Sequence, residues 1–242
     1  MIRKARAGSV ASLVLVLGVS MSPWPAVAQS TPTAPVGFAV TRYASVGGAA
    51  TSFAFGPDTR NPFGEPLLYV TNFSSGEVVT IDDAGQAGHA PGQVGGPPVV
   101  FASGFRNPLG VVVAPNGTVF VSDSEAERDG PFGNRSYGRV WRVRDTNGDG
   151  VADVKKVVLR NLPNGRHNTN GLALGPDGML YVTNGNSTDD GVEGGPPEVL
   201  PWSGSVVRVN PGATGLSVTN LNPRSALVAR GMRNDFDLAF SP

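Results

Sequence analysis

A unit of about sixty residues recurs along this chain, and few architectures accommodate such a period. Ser52-Phe-Ala-Phe-Gly-Pro-Asp58 with Leu68-Tyr-Val-Thr-Asn72, Gly110-Val-Val-Val-Ala-Pro-Asn-Gly117 with Val119-Phe-Val-Ser-Asp123, and Gly171-Leu-Ala-Leu-Gly-Pro-Asp-Gly178 with Leu180-Tyr-Val-Thr-Asn184 align with one another. A fourth copy opens at Asp237-Leu-Ala-Phe-Ser-Pro242. Each copy is a short apolar strand, a proline turn and a second apolar strand ending in a polar residue. In Pro-Asn-Gly and Pro-Asp-Gly, proline fixes φ and glycine tolerates φ > 0, so these segments are expected to be hairpins.

After each hairpin comes a Gly-x-Val strand: Gly76-Glu-Val-Val-Thr-Ile81, Gly138-Arg-Val-Trp-Arg-Val143 and Gly204-Ser-Val-Val-Arg-Val209. Their partial alternation suits an outer strand with one face on the sheet packing and one in water. A fourth strand, such as Lys156–Leu159 or Ala226–Ala229, completes the unit. The expectation is an all-β fold, a β-propeller of four-stranded blades, with an array of independent hairpins or a β-sandwich as the alternatives. The 33 glycines and 21 prolines among 242 residues agree with many turns and rule out a helical bundle.

Blades are expected at about 48–103, 104–164 and 165–230, with the next starting at 231–242, and 29–47 as a linker or closing strand. Propellers usually close with about four to eight blades, whereas three and one strand are read here. A piece of a longer ring, or assembly of several copies, is therefore expected, and the break at Pro242 favours the piece.

The first 28 residues read as a secretory leader. Arg3, Lys4 and Arg6 precede an apolar run from Val10 to Val19, and Ala26-Val-Ala28 offers a cleavage site. A periplasmic or secreted protein without stable membrane insertion follows, the run being too short to span a bilayer. Beyond the leader, 16 basic residues face 19 acidic ones, which gives no basic patch for nucleic acid. The absence of cysteine removes disulfides, thiolate metal sites and a cysteine nucleophile.

Only two histidines are present. His89 sits in a glycine-rich loop and reads as a solvated residue. His167, in Gly165-Arg-His-Asn-Thr-Asn-Gly171, directly precedes an inner strand and would face the mouth of the channel, where an imidazole suits a general base. A structural role is its alternative. Asp145, Asn147, Asp149, Val151 and Asp153 occupy positions 1, 3, 5, 7 and 9 of a loop with Gly150 at position 6, which is the oxygen spacing of a calcium loop. Lys156 stands where an EF-hand has its closing glutamate, so the alternative is a tight polar hairpin without metal. Gly104-Phe-Arg-Asn107 and Gly231-Met-Arg-Asn234 recur before inner strands, either to bind carboxylates or to join blades.

His167 placed before Gly175-Pro-Asp-Gly-Met-Leu-Tyr-Val-Thr183, together with Gly231-Met-Arg-Asn234, resembles the soluble quinoprotein glucose/sorbosone dehydrogenase family. Gly138 to Asp153 resembles its sorbosone-dehydrogenase-like branch, and the similarity runs over residues 98–242. That resemblance implies a six-bladed propeller that binds pyrroloquinoline quinone (PQQ) and calcium and oxidises a sugar, or a related polyol or aldehyde, passing electrons to an external acceptor. It implies His167 as the base, and Arg233 and Asn234 as cofactor contacts. Arg166 precedes His167 where the glucose dehydrogenase branch has an acid. The competing reading is a non-catalytic NHL-like propeller that presents one mouth to a ligand. A lactonase-type metal centre would need more histidines than the chain contains.

Overall fold

The computed structural model describes residues 33–38, 40, 42–61, 64–82, 95–126, 128–130, 133–187 and 202–241. The leader at 1–28, His89, the loop at 191–197 and Pro242 lie outside the described residues. The chain divides into two units, Met1–Val40 and Thr41–Pro242. In the first, a turn is closed by the Phe38 N–H on the Pro35 carbonyl at 3.0 Å.

The second unit is nearly all β and carries the repeat as three antiparallel sheets. The first holds β1 (Ala50–Gly56), β2 (Leu67–Asn72), β3 (Glu77–Ile81) and β4 (Val99–Ala102), in that spatial order. The second holds β5 (Gly110–Val113), β6 (Val119–Ser124), β9 (Tyr137–Arg144) and β10 (Val154–Pro163). A small hairpin of β7 (Arg128–Gly130) and β8 (Gly133–Arg135) interrupts it in sequence. The third holds β11 (Thr169–Leu174), β12 (Leu180–Asn184), β13 (Ser205–Val209) and β15 (Leu227–Arg230), while β14 (Leu216–Ser217) runs parallel to β10 at the edge of the second sheet. Helix among the described residues is limited to α1 (Pro223–Ala226) and a 3-10 turn at Val218–Asn220.

The hairpin turns form as their sequence requires. Gly117 has φ +78° and Gly178 φ +73°, while Asn116 and Asp177 accept from the N–H groups two residues ahead, Thr118 at 3.1 Å and Met179 at 3.1 Å. Three successive four-stranded sheets, each packed on the next, are propeller blades rather than a two-sheet sandwich. Leu67, Tyr69, Val78 and Phe101 of the first sheet meet Val111, Val119, Val121 and Val143 of the second. Phe120, Val140, Leu159 and Leu162 of the second meet Leu172, Leu180, Val182 and Val207 of the third, beneath Trp202. Second strands therefore bury both faces, and β6 is buried at every position.

One expectation differs in detail. Residues 231–241 form no strand, because a strand is defined by its ladder and no described segment pairs with them. They run against the third blade instead, with the Phe240 ring edge-on to Tyr181 at 4.8 Å.

A hydroxyl at equivalent places joins neighbouring blades. Ser122 Oγ receives the Gly110 N–H at 2.8 Å and donates to the Asn170 carbonyl of the next blade at 2.5 Å. Thr183 Oγ1 receives the Gly171 N–H at 2.8 Å and donates to the Asp235 carbonyl at 2.8 Å. In the first blade the work is divided: Thr71 receives the Ser52 N–H at 3.0 Å, and Thr51 donates to the Pro108 carbonyl at 2.8 Å. The glycines that open the Gly-x-Val strands serve the same junctions. A Cβ on Gly76 or Gly204 would overlap the carbonyl oxygen of Phe105 or Met232, and both glycines have positive φ.

Candidate functional site

His167 lies in the turn that leads into β11, and two glycines set its position. A Cβ on Gly165 would overlap the Ser187 carbonyl, and one on Gly185 would come within 2.5 Å of the His167 Cβ. Backbone bonds from Arg166 N to Ser187 O (2.8 Å) and from Gly185 N to Asn168 O (2.9 Å) fasten the loops before β11 and after β12 together. The His167 side chain is 8% exposed, and its Nδ1 lies 2.6 Å from Asn186 Oδ1. An amide oxygen only accepts, so Nδ1 carries the hydrogen and Nε2 is the basic nitrogen of the neutral ring.

Asn186 also reaches the second predicted element. Its backbone N–H donates to the Arg233 carbonyl at 2.8 Å. The Gly231–Asp235 segment is also held by Met232 N to Gly204 O (3.1 Å), Asn170 Nδ2 to Asn234 Oδ1 (2.9 Å) and to Asp235 O (3.1 Å), and Thr183 Oγ1 to Asp235 O (2.8 Å). The structure thus brings His167, Arg233 and Asn234 into one locality, with Asn186 and Asn170 between them. The Arg233 side chain is exposed. Asp235 completes the group. Its Oδ2 is buried without a hydrogen-bond partner, and burial pushes its carboxyl above the usual carboxylate range.

Sequence reasoning missed Asn170, Asn186 and Asp235, although one signal was available. Counting six residues back from Gly110, Gly171 and Asp237 gives Gly104-Phe-Arg-Asn, Gly165-Arg-His-Asn and Gly231-Met-Arg-Asn. His167 occupies the place of the two arginines. The recurrence of Arg-Asn has a structural cause of its own, since the Phe105 N–H donates to Gly76 O at 3.0 Å as Met232 does to Gly204. The Arg106 N–H binds the Asp123 carboxylate at 3.1 Å, and Asp123, fully buried, is gripped by both Nε and Nη2 of Arg139 at 2.9 and 2.7 Å. This second Arg-Asn loop is a blade junction.

The loop from Asp145 to Asp153 is separate from this site. Asp145 accepts from the N–H groups of Asn147, Gly148 and Gly150 at 3.2, 2.7 and 2.8 Å and from the Thr59 hydroxyl of the first blade at 2.6 Å. Burial pushes its carboxyl up, but the bonds from Thr59, Gly150, Gly148 and Asn147 outweigh this and hold it below the ordinary value. Asn147 accepts from Asp149 N, Asp149 from Val151 N, and Asp153 from Thr146. The oxygens thus satisfy the loop itself. Among the described residues no three His, Asp or Glu side chains gather as metal ligands. In this arrangement the loop is closed by its own hydrogen bonds.

Fold and site together define a β-propeller with polar loops gathered where one blade leads into the next. Residues 75–235 match a family described as a domain of unknown function, DUF7133, and the chain belongs to that family. No curated protein matches the chain. Among solved structures, the PQQ-bound aldose sugar dehydrogenase of Streptomyces coelicolor is similar, with a TM-score of 0.55 and 20% identity over 81% of this chain and 54% of that one. A calcium structure of a Trichoderma reesei carbohydrate-active enzyme of family AA12 follows, with a TM-score of 0.53 and 15% identity over 81% and 43%. A Thermus thermophilus protein provisionally assigned as an oxidoreductase (glucose dehydrogenase) gives 0.50 and 23% over 77% and 52%. The chain spans about half the length of these proteins, and at such identities the likeness is one of fold.

Proposed function

We propose that this chain is part of a PQQ-dependent propeller dehydrogenase that oxidises a sugar, or a related polyol or aldehyde, outside the cytoplasm. The observation that carries the reading is Asn186, whose side chain binds His167 and whose backbone binds Arg233. The imidazole and the backbone of Arg233 are thereby tied to one residue, which supports the pairing of base and cation that the resemblance to the quinoprotein family implies. The donor set also fits the cofactor in kind, since a planar tricarboxylate quinone calls for guanidinium and amide donors, which Arg233 and Asn234 offer. When bound, PQQ supplies the two-electron acceptor that side chains lack.

The chain's own residues hold and move the proton. The Nδ1–H of His167 donates to Asn186, which fixes the ring and directs Nε2 to receive the proton of a substrate hydroxyl. The Arg233 guanidinium offsets negative charge that develops on a neighbouring oxygen. Asn170 and Thr183 hold the Asp235 carbonyl, and Asn170 also holds the Asn234 side chain, against β11 and β12. Calcium at Asp145–Asp153 would require Asp145 and Asp149 to exchange backbone bonds for the ion, and calorimetry comparing the protein with Asp149→Ala measures whether they do.

The test is reconstitution of the full-length protein with PQQ and calcium, followed by dye reduction with aldoses. His167→Ala should abolish turnover while PQQ still raises the melting temperature, and Arg233→Ala should weaken that rise. Full activity in His167→Ala would sink the assigned role. Failure of PQQ to shift melting at any calcium concentration would favour the non-catalytic binding module.

A further inference from the structure

At the far end of the β11–β12 hairpin from His167, the second and third blades border a groove. Its volume is about 740 Å³, within the range of small-molecule sites. Phe120 and Leu174 contribute apolar wall, and Arg142, Arg144 and Lys156 contribute three positive charges. The register explains the clustering. Phe120 pairs with Arg142 and Arg142 with Lys156, so one row across β6, β9 and β10 presents these side chains on a single face. Arg144 lies two residues along β9 and shares that face.

Among the described residues no acid lines the groove. The carboxylates that adjoin its lining residues in sequence are engaged: Asp145 accepts from Thr59 and from N–H groups of its own loop, Asp153 accepts from Thr146, and Asp177 pairs with Arg208 at 3.6 Å and accepts from the Tyr181 hydroxyl. Arg142 is fixed by neutral acceptors, the carbonyls of Pro211 and Ala213 at 2.9 and 3.4 Å and the Thr214 hydroxyl at 3.3 Å. Arg144 and Lys156 have no ion-pair partner among the described residues. Like charges directly across a strand pair destabilise it. The Arg142–Lys156 pair therefore places a standing repulsion on the blade, which an anion in the groove would relieve.

We propose that this groove binds a small organic anion carrying two or more carboxylate or phosphate groups on a sugar-sized carbon body. The carbon body packs on Phe120 and Leu174, and the anionic groups meet Arg142, Arg144 and Lys156. The site is independent of the dehydrogenase reading and uses none of its residues.

The experiment is thermal unfolding of the full-length protein at constant ionic strength, titrated with tricarballylate in one arm and fructose 1,6-bisphosphate in the other. At least one arm should raise the melting temperature saturably, and the arm that responds identifies the anionic group. Arg144→Ala/Lys156→Ala should weaken binding at least tenfold by calorimetry, and Lys156→Gln alone should melt no lower than the parent without anion, because the repulsion is gone. The proposal is overturned if neither anion raises the melting temperature, if sodium chloride reproduces the rise, or if the double variant binds as tightly as the parent.

Discussion

Replacing Thr183 by valine removes one hydroxyl at constant shape and tests whether blade junctions carry stability and position the site. Thr183 is 1% exposed. Its oxygen receives the Gly171 N–H at 2.8 Å, and its hydrogen goes to the Asp235 carbonyl at 2.8 Å. The pairing of β11 with β12 is irregular between Thr169 and Leu172, so the hydroxyl serves an N–H that the ladder leaves out. The two losses are unequal. Asp235 O retains Asn170 Nδ2 at 3.1 Å, whereas Gly171 N–H is left buried without that acceptor. One lost bond at about 1 kcal/mol and one orphaned donor at about 1–3 kcal/mol give a cost of about 2–4 kcal/mol. For a unit of this size that lowers the melting temperature by about 4–16 °C. Urea unfolding should show a lower midpoint at unchanged slope. Ser122→Ala removes the equivalent pair of bonds and should cost a similar amount. Hydrogen exchange adds a local readout, since the Asn186 N–H donates to Arg233 and should exchange faster once the segment at Asp235 loosens. A loss below about 0.5 kcal/mol in both variants would refute the junction argument, because surface substitutions cost that much.

Two further outcomes follow from charged groups. Asp145, held below its ordinary value of 3.8 in the folded chain, contributes stability that is present above that value and is lost as pH falls through the folded one. Asp145→Asn should therefore melt lower than the parent at neutral pH, with the gap closing in acid, and melting curves across that range check it. Arg139→Leu leaves the fully buried Asp123 carboxylate without its two-pronged partner and should cost about 3–5 kcal/mol by urea unfolding, of which the double variant with Asp123→Asn recovers part.

The hairpins were legible because their cause is local. Proline and glycine at fixed offsets determine the turns, and Gly117 and Gly178 take the positive φ that the sequence implied. The contacts around His167 were not legible for the opposite reason. Asn186 stands 19 residues away, and Asn170 reaches Asn234 and Asp235 across 64 and 65 residues, so these partners meet only after blades pack. The calcium spacing is ambiguous in a third way. Asx residues at alternate positions can serve their own backbone as well as a cation, and here the N–H groups of Asn147, Gly148 and Gly150 take the Asp145 oxygens.

A repeat protein sorts its own residues, because whatever recurs in each blade is explained first by building blades. The hydroxyls of Thr51, Ser122 and Thr183 and the glycines at 76 and 204 recur, and each has a junction to make. By the same logic the backbone of Arg-Asn at 106–107 and 233–234 belongs to the junctions. His167 breaks the pattern by replacing the arginine of Gly-x-Arg-Asn, and a titratable imidazole in an arginine's place gains nothing that a junction needs. Arg142, Arg144 and Lys156 break it too, since the matching strands carry Thr80 in the first blade and Arg208 in the third rather than a row of three cations. Departures from the repeat, rather than the repeat itself, are where this chain's function is written.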